Sequence, residues 1–384
     1  MDYIRNAMHH LEESQRGLDR SKTVSFEDFL LLLRTHPQRL MRNVHQVFHD
    51  MVKTFVGHGV DEYPEDPETI NFIAYDTSQL FEENTDNPFF ADRIFANRLM
   101  NMIDGLRGGS QQNKIYLFDG PPGCGESIFL NNLLRKFEEY ANSDEGCRYE
   151  SVWHLNRSVL GEYADLDGTT VVEKLAQLLD APAQKQLAEI PNEHQPRLRQ
   201  GFVEVPCPSH DNPILMVPRD QRSRFLDDLF ANDEFKWNLS YGKDYDWVFN
   251  DKPCTICTSL YQALLHKLGD PTAVFRMLHA RPYHVNRRLG EGVSVFNPGD
   301  RTTRQPVLTN PQLAKRIGSL LQDSNQVRYI FSRYARTNNG VYALMDIKGH
   351  NKDRLMELHN IISDGVHKVD EVEENVNSLF LGVM

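Results

Sequence analysis

The sequence predicts an α/β protein, and three stretches carry that reading. Residues 115–130, IYLFDGPPGCGESIFL, run a short apolar strand into a glycine-rich turn and then into a helix. Residues 340–347, GVYALMDI, form an apolar strand ending in an acid. Residues 25–56 carry apolar side chains at helical spacing and read as two amphipathic helices broken near Pro37.

In chain order, Ser25 suits the start of the first helix, with Glu27 and Asp28 favourable in its first turn. The polar, proline-bearing stretch GHGVDEYPEDPET reads as a linker or surface loop. Residues 88–107 read as a helix that leads, through RGGSQQNK, into the strand at 115–119. Residues 181–253 mix prolines, charges and short apolar runs, as an insertion would. Helices are expected over 311–323 and 351–365, and a last strand over 378–384. The expected organisation is an N-terminal helical segment over 1–60 and a core over 61–384, with an insertion at about 181–300.

Bulk properties narrow the function. The 384 residues exceed one ordinary domain, and 40% hydrophobic content suffices for a substantial core. A formal charge of −12 disfavours a general nucleic-acid binder. The start, MDYIRNAMHHLEESQRG, has no apolar core of a signal peptide, and no later apolar run approaches a membrane span. Five cysteines without a secretion signal fit a reducing compartment, so a cytoplasmic location is expected.

The turn after the first strand follows the phosphate-loop pattern G-x-x-x-x-G-K-[ST], with Gly120, Pro121, Pro122, Gly123, Cys124, Gly125 and Ser127 in register. Glycines let successive amides point inward, and the helix start adds positive potential for phosphate. Position 126 should be lysine and is Glu126. That is a two-unit charge change beside the phosphates, and a carboxylate about 4 Å from a phosphate charge costs about 1 kcal/mol in water and more at lower dielectric. Weakened nucleotide binding and still weaker catalysis are expected. The bland alternative is a bare Gly-Pro turn between strand and helix. Asp346 is the candidate Walker B acid for Mg2+, and Ile347 stands where a second acid would follow.

Cys207-x2-His210 and Cys254-x2-Cys257 make two close pairs, enough N and S donors for one closed tetrahedral zinc site. The alternative is a helix opening on two buried thiols, with His210 a surface turn residue. Arginines in RPYHVNRRLGEG suit either a phosphate-sensing loop or a solvated turn.

With those residues in view, the chain resembles the PrkA-type serine protein kinases, which carry an AAA+ core. FEDFLLLLRTHPQRLMRNVHQVF, NPFFADRIFANRLMNMI, GPPGCGES, CPSHDNPILMVP, RRLGEGVSVFNPGD and TNNGVYALMDIKGHNKDRLMELHNIISDG resemble family blocks in order. The resemblance implies an α-β-α sandwich with a parallel sheet, ATP and Mg2+ as ligands, and phosphoryl transfer to protein serine. Glu126 and Ile347 depart from that pattern and put turnover in doubt. The resemblance also implies a sensor, lid and arginine finger beyond Met384, so a fragment is expected. Two further readings stand beside the kinase: a degenerate nucleotide-binding scaffold, and an AAA+ ATPase remodelling a protein partner. Expected partners are a protein substrate and ATP, with a homo-oligomer left open and membrane and nucleic acid disfavoured.

Overall fold

The computed structural model describes residues 22–66, 73–109, 115–121, 123–160, 202–230, 233–297, 307–308, 331–347, 358–359, 361–369 and 372–384. Strand β1 (Val24–Ser25) runs directly into helix α1 (Phe26–Thr35). Ser25 Oγ accepts from the Asp28 amide at 3.1 Å, satisfying one of the free N–H groups at the helix start. One helical turn at Pro37–Leu40 follows, with proline at the first position, where a missing N–H costs nothing. Helix α2 (Val44–Val56) opens on a reciprocal cap in which Asn43 and Gln46 each bond the other's backbone amide. Helix α3 (Arg93–Asp104) starts later than its apolar pattern suggests, because Asp92 caps it by accepting from the Phe95 amide at 2.7 Å.

Strand β2 (Ile115–Phe118) leads through the glycine-rich turn into α4 (Glu126–Ala141). Next come β3 (Tyr149–Asn156), β4 (Phe202–Pro206), α5 (Arg219–Leu229), α6 (Thr255–Leu268) and β5 (Leu278–Pro282). The described chain continues with β6 (Val293–Phe296), β7 (Val341–Leu344), the hairpin strands β8 (Val366–Val369) and β9 (Val372–Asn375), and β10 (Leu379–Val383).

These strands build two four-stranded sheets. One is parallel throughout, in the order β2-β10-β7-β6. Its inner strands β7 and β10 alternate between two buried faces. Val341, Ala343, Leu379 and Leu381 join a core with Phe48 and Met51 of α2 and Phe129, Leu133 and Phe137 of α4. Tyr342, Leu344 and Phe380 face a second cluster with Tyr334, Leu358 and Ile361. Burial on both faces is what a parallel sheet requires, and it explains the near-continuous apolar reading of β7 and β10. At about 2 kcal/mol for each fully buried apolar side chain, the five on α4 (Phe129, Leu130, Leu133, Leu134, Phe137) far outweigh any end-charge contribution to holding that helix.

The other sheet is antiparallel, in the order β1-β5-β3-β4. Its core gathers Phe29 and Leu33 of α1, Trp153 and Leu155 of β3, Leu226 of α5, and Ile256, Leu260 and Leu264 of α6. The N-terminal segment is therefore divided between units, with α1 in the antiparallel core and α2 in the parallel one. Likewise β4, α5, α6 and β5, which the sequence suggests as an insertion, complete a sheet that β1 begins.

The helix expected over 311–323, and most of the one over 351–365, lie outside the described residues. Residues 361–364 are helical. Among the described residues no helix is long and apolar enough to cross a membrane.

Candidate functional site

The glycine-rich turn leaves the carboxyl end of β2. Gly123 and Gly125 hold φ of +87° and +92°, a region that only glycine enters without strain. The Cys124 amide closes the turn onto Pro121 O at 3.1 Å, and Pro122 lies outside the described residues. Among the described residues no side chain caps α4 at Gly125, which leaves its first amides available to an anion. Ser127, in the first turn, is exposed.

Glu126 is turned inward. A Cβ on Gly120 would lie 3.0 Å from Glu126 Oε1 and 2.7 Å from Cys124 Sγ, so the carboxylate folds back across the turn. That oxygen is buried and has no hydrogen-bond partner among the described residues. The Glu126 carboxylate thus lies on the inner side of the turn, toward Gly120.

Asp346 shares the same edge of the sheet. Registers pair Phe118 with Val383, and Gly382 with Leu344, so β2, β10 and β7 end level with one another. Strand β7 stops at Leu344, shorter than the sequence suggests, and Asp346 stands two residues past it with φ +49°. A left-handed non-glycine residue at the carboxyl end of a parallel strand is a recurrent mark of functional sites. Two inter-strand steps, about 10 Å, separate its strand from β2. Position 347 is a packing position. The Ile347 amide donates to Val383 O at 2.9 Å, and a Cβ on Gly382 would lie 2.7 Å from Ile347 Cδ1. An acid there would lose that contact.

A second constellation forms where β4 ends. The sulfurs of Cys207, Cys254 and Cys257 and a carboxylate oxygen of Asp211 all lie within 4.8 Å of one another. All four residues are buried, at 2%, 3%, 0% and 3% exposure respectively. Cys207 Sγ and Cys254 Sγ are 3.6 Å apart. Backbone amides of Asp211 and Cys257 donate to the sulfurs of Cys207 and Cys254, each at 3.4 Å. Trp153 Nε1 donates to Cys257 Sγ at 3.4 Å, and the Cys254 amide donates to Asp211 Oδ2 at 2.6 Å.

The structure thus brings together three of the four residues that the sequence pairs, and puts Asp211 in the fourth place instead of His210. His210 adopts φ +52°, stacks on Tyr283 at 4.3 Å between ring centres, and turns its Nδ1 to Glu150. Arg281 holds the same carboxylate at 2.6 and 2.9 Å. Burial alone would raise the Glu150 pKa, but His210 and Arg281 hold it below the ordinary value. In the cluster, burial drives the three thiols well above their usual range. Burial also raises Asp211, against the amide and thiol hydrogen bonds that favour its charged form. Asp251 and Glu374 are each pushed up to about 7, first by burial and further by the charge of Asp211.

The arginines of 281–292 serve packing where they are paired. Arg281 joins Glu150, while Arg287 Nη1 donates to Asn131 O on α4 at 3.2 Å. A cleft of about 410 Å³ that the sequence did not point to opens on the antiparallel sheet. His154, lining it, stacks against Phe202 at 4.1 Å and His279 at 3.9 Å.

Chemically, the turn at 119–127 can offer amides and a hydroxyl to an anion, against the opposing charge of Glu126. The cysteine cluster can offer four donors to a cation. No protein-family model, curated protein or solved structure matches this chain.

Proposed function

We propose that this chain is the nucleotide-binding core of a PrkA-type serine/threonine protein kinase, an AAA+ protein taking Mg-ATP at the carboxyl edge of its parallel sheet. The observation that carries the proposal is the convergence of the 119–127 turn and Asp346 on that one edge. Open parallel sheets take their ligands outside the carboxyl ends of the strands. The resemblance of the sequence blocks supplies the kinase and AAA+ parts of the reading, with a protein serine as acceptor.

The donor set fits Mg-ATP in part. Amides of Gly120, Gly123 and Gly125 and the start of α4 suit phosphate oxygens, while the Ser127 hydroxyl and the Asp346 carboxylate suit Mg2+. When bound, Mg-ATP supplies the transferable phosphoryl group and neutralises its charge. The chain's part is to orient it. Glu126 does not fit, because it puts negative charge where lysine would stabilise the phosphates. A nucleotide-binding scaffold without turnover is therefore the second reading, and the inward-turned Glu126 carboxylate favours it.

Calorimetry with Mg-ATP tests the site. The unaltered chain is expected to bind weakly, and Glu126→Lys to tighten binding by at least about tenfold, or about 1.4 kcal/mol. Equal affinities for the two proteins would refute the site, since residue 126 faces the inside of the turn.

A further inference from the structure

We propose that Cys207, Asp211, Cys254 and Cys257 hold one tetrahedral zinc ion, and that this ion pins the antiparallel-sheet unit to the amino end of the parallel sheet. Three sulfurs and one carboxylate make a closed set for a borderline-soft d10 cation, with no open position for chemistry. The spacing fits. Bonds of about 2.3 Å at the tetrahedral angle put two sulfurs about 3.8 Å apart, and Cys207 Sγ and Cys254 Sγ stand at 3.6 Å.

Hydrogen-bond donors around the sulfurs offset part of the cost of burying charge there. Each sulfur already receives an N–H: from the Asp211 amide, the Cys257 amide and the Trp153 indole. Such outer partners orient ligands and hold their charge. Cys254 caps α6 and Cys257 lies in its first turn, so the positive end of that helix faces two of the three sulfurs. Fully deprotonated, the four ligands carry four negative charges in a buried place, and a dication halves that total. A disulfide is a poorer account of the same cluster, since a bonded pair would lie at about 2.05 Å.

The clamp role follows from what grips each knuckle. Asn338 Nδ2 donates to Ser209 O at 2.7 Å, and Asn339 Nδ2 donates to His210 O at 3.0 Å. These asparagines lie three and two residues before β7. The other knuckle is held by Glu374 Oε2, which accepts from the Thr255 amide at 3.2 Å, and by Asn377 Nδ2, which donates to Asp251 Oδ2 at 2.7 Å. Asn377 lies two residues before β10, and its amide donates to Asn338 Oδ1 at 2.6 Å. Both knuckles therefore bear on the amino ends of β7 and β10, where Val341 pairs with Leu379. Asp346 and the glycine-rich turn lie at the opposite end of those strands, so the ion's work is structural.

The test uses the full chain purified without added metal. Titration with a mercurial in the presence of a zinc indicator should release about one zinc per chain. Protein reconstituted with Co2+ should show the intense visible bands of a tetrahedral thiolate site. Asp211→Asn should weaken zinc binding by at least about tenfold, whereas His210→Ala should leave it unchanged. After chelation, hydrogen exchange should rise at 338–341 and 376–379 as well as in the knuckles. A chain that releases no zinc and gives no Co2+ bands would overturn the site, as would intact-mass detection of a native Cys207–Cys254 disulfide. Zinc binding lost in His210→Ala but kept in Asp211→Asn would overturn the donor set. Exchange that rises only within the knuckles would overturn the clamp. If Asp211→Asn does not fold, zinc release and the Co2+ bands of the unaltered chain still decide the site.

Discussion

Asn338→Ala should destabilise this protein by about 2–4 kcal/mol, a figure that comes from two identifiable groups. The Asn338 side chain is buried at 2% exposure and spans two units. Its Nδ2 reaches Ser209 O at 2.7 Å, and its Oδ1 takes the Asn377 amide at 2.6 Å. Truncation strands both partners. Ser209 is fully buried, so its carbonyl bears most of a desolvation penalty of about 1–3 kcal/mol. The Asn377 amide is half-buried, and water can replace part of its loss, which leaves about 1 kcal/mol. Asn338→Asp keeps the acceptor but sets a carboxylate against a carbonyl, so at neutral pH it should cost at least as much as alanine. The assay is urea unfolding followed by circular dichroism, with hydrogen exchange at 207–211 and 376–379 to locate the loss. A change below about 0.5 kcal/mol for Asn338→Ala, the level of an ordinary surface substitution, would refute the reasoning. It would mean that the two units are held by apolar packing alone.

Arg222 is almost wholly buried and donates to the carbonyls of Leu215, Val217, Val248 and Asp251. Arg222→Met should lower stability by about 3–5 kcal/mol, and Arg222→Lys should recover only part of it, because an ammonium cannot fork to four carbonyls. Urea midpoints of the three proteins check this. Burial, aided by the charge of Arg148, lowers the His45 pKa to about 4 from 6.5. As pH falls the unfolded chain takes up this proton first, so the stability that neutral His45 contributes is complete above pH 6.5 and is lost as pH falls toward 4. The loss amounts to about 3 kcal/mol, and in urea unfolding at pH 7 and 4.5 the drop should be smaller for His45→Leu than for the unaltered chain.

What was legible in the sequence was local. The strand–turn–helix at 115–141 can be read from letters because its glycines answer backbone demands within a few residues, as the φ values of Gly123 and Gly125 attest. Ser25, with its hydroxyl on the Asp28 amide, is legible for the same reason. The three cysteines were legible as a set because each lies beside a proline or inside a short knuckle. Asp211 had a weak signal, as the residue next to His210, but a carboxylate at that spacing is common without any role.

Only the tertiary structure decided the rest, because those outcomes depend on groups far apart in the chain. His210 leaves the cysteine cluster because Glu150, on β3, takes its Nδ1 and Tyr283 takes its ring face. Neither partner can be inferred from the CPSHD spacing. Asp346 shares a sheet edge with the glycine-rich turn only because β10 inserts between β2 and β7, a strand order that no local period encodes. The N-terminal helices part company because α1 finds its apolar partners on the antiparallel sheet and α2 finds its own on α4. Helical spacing states that a face must be buried and is silent about against what. Glu126 could be read as a wrong charge in the right loop, but its inward turn toward Gly120 depends on the three-dimensional path of the turn.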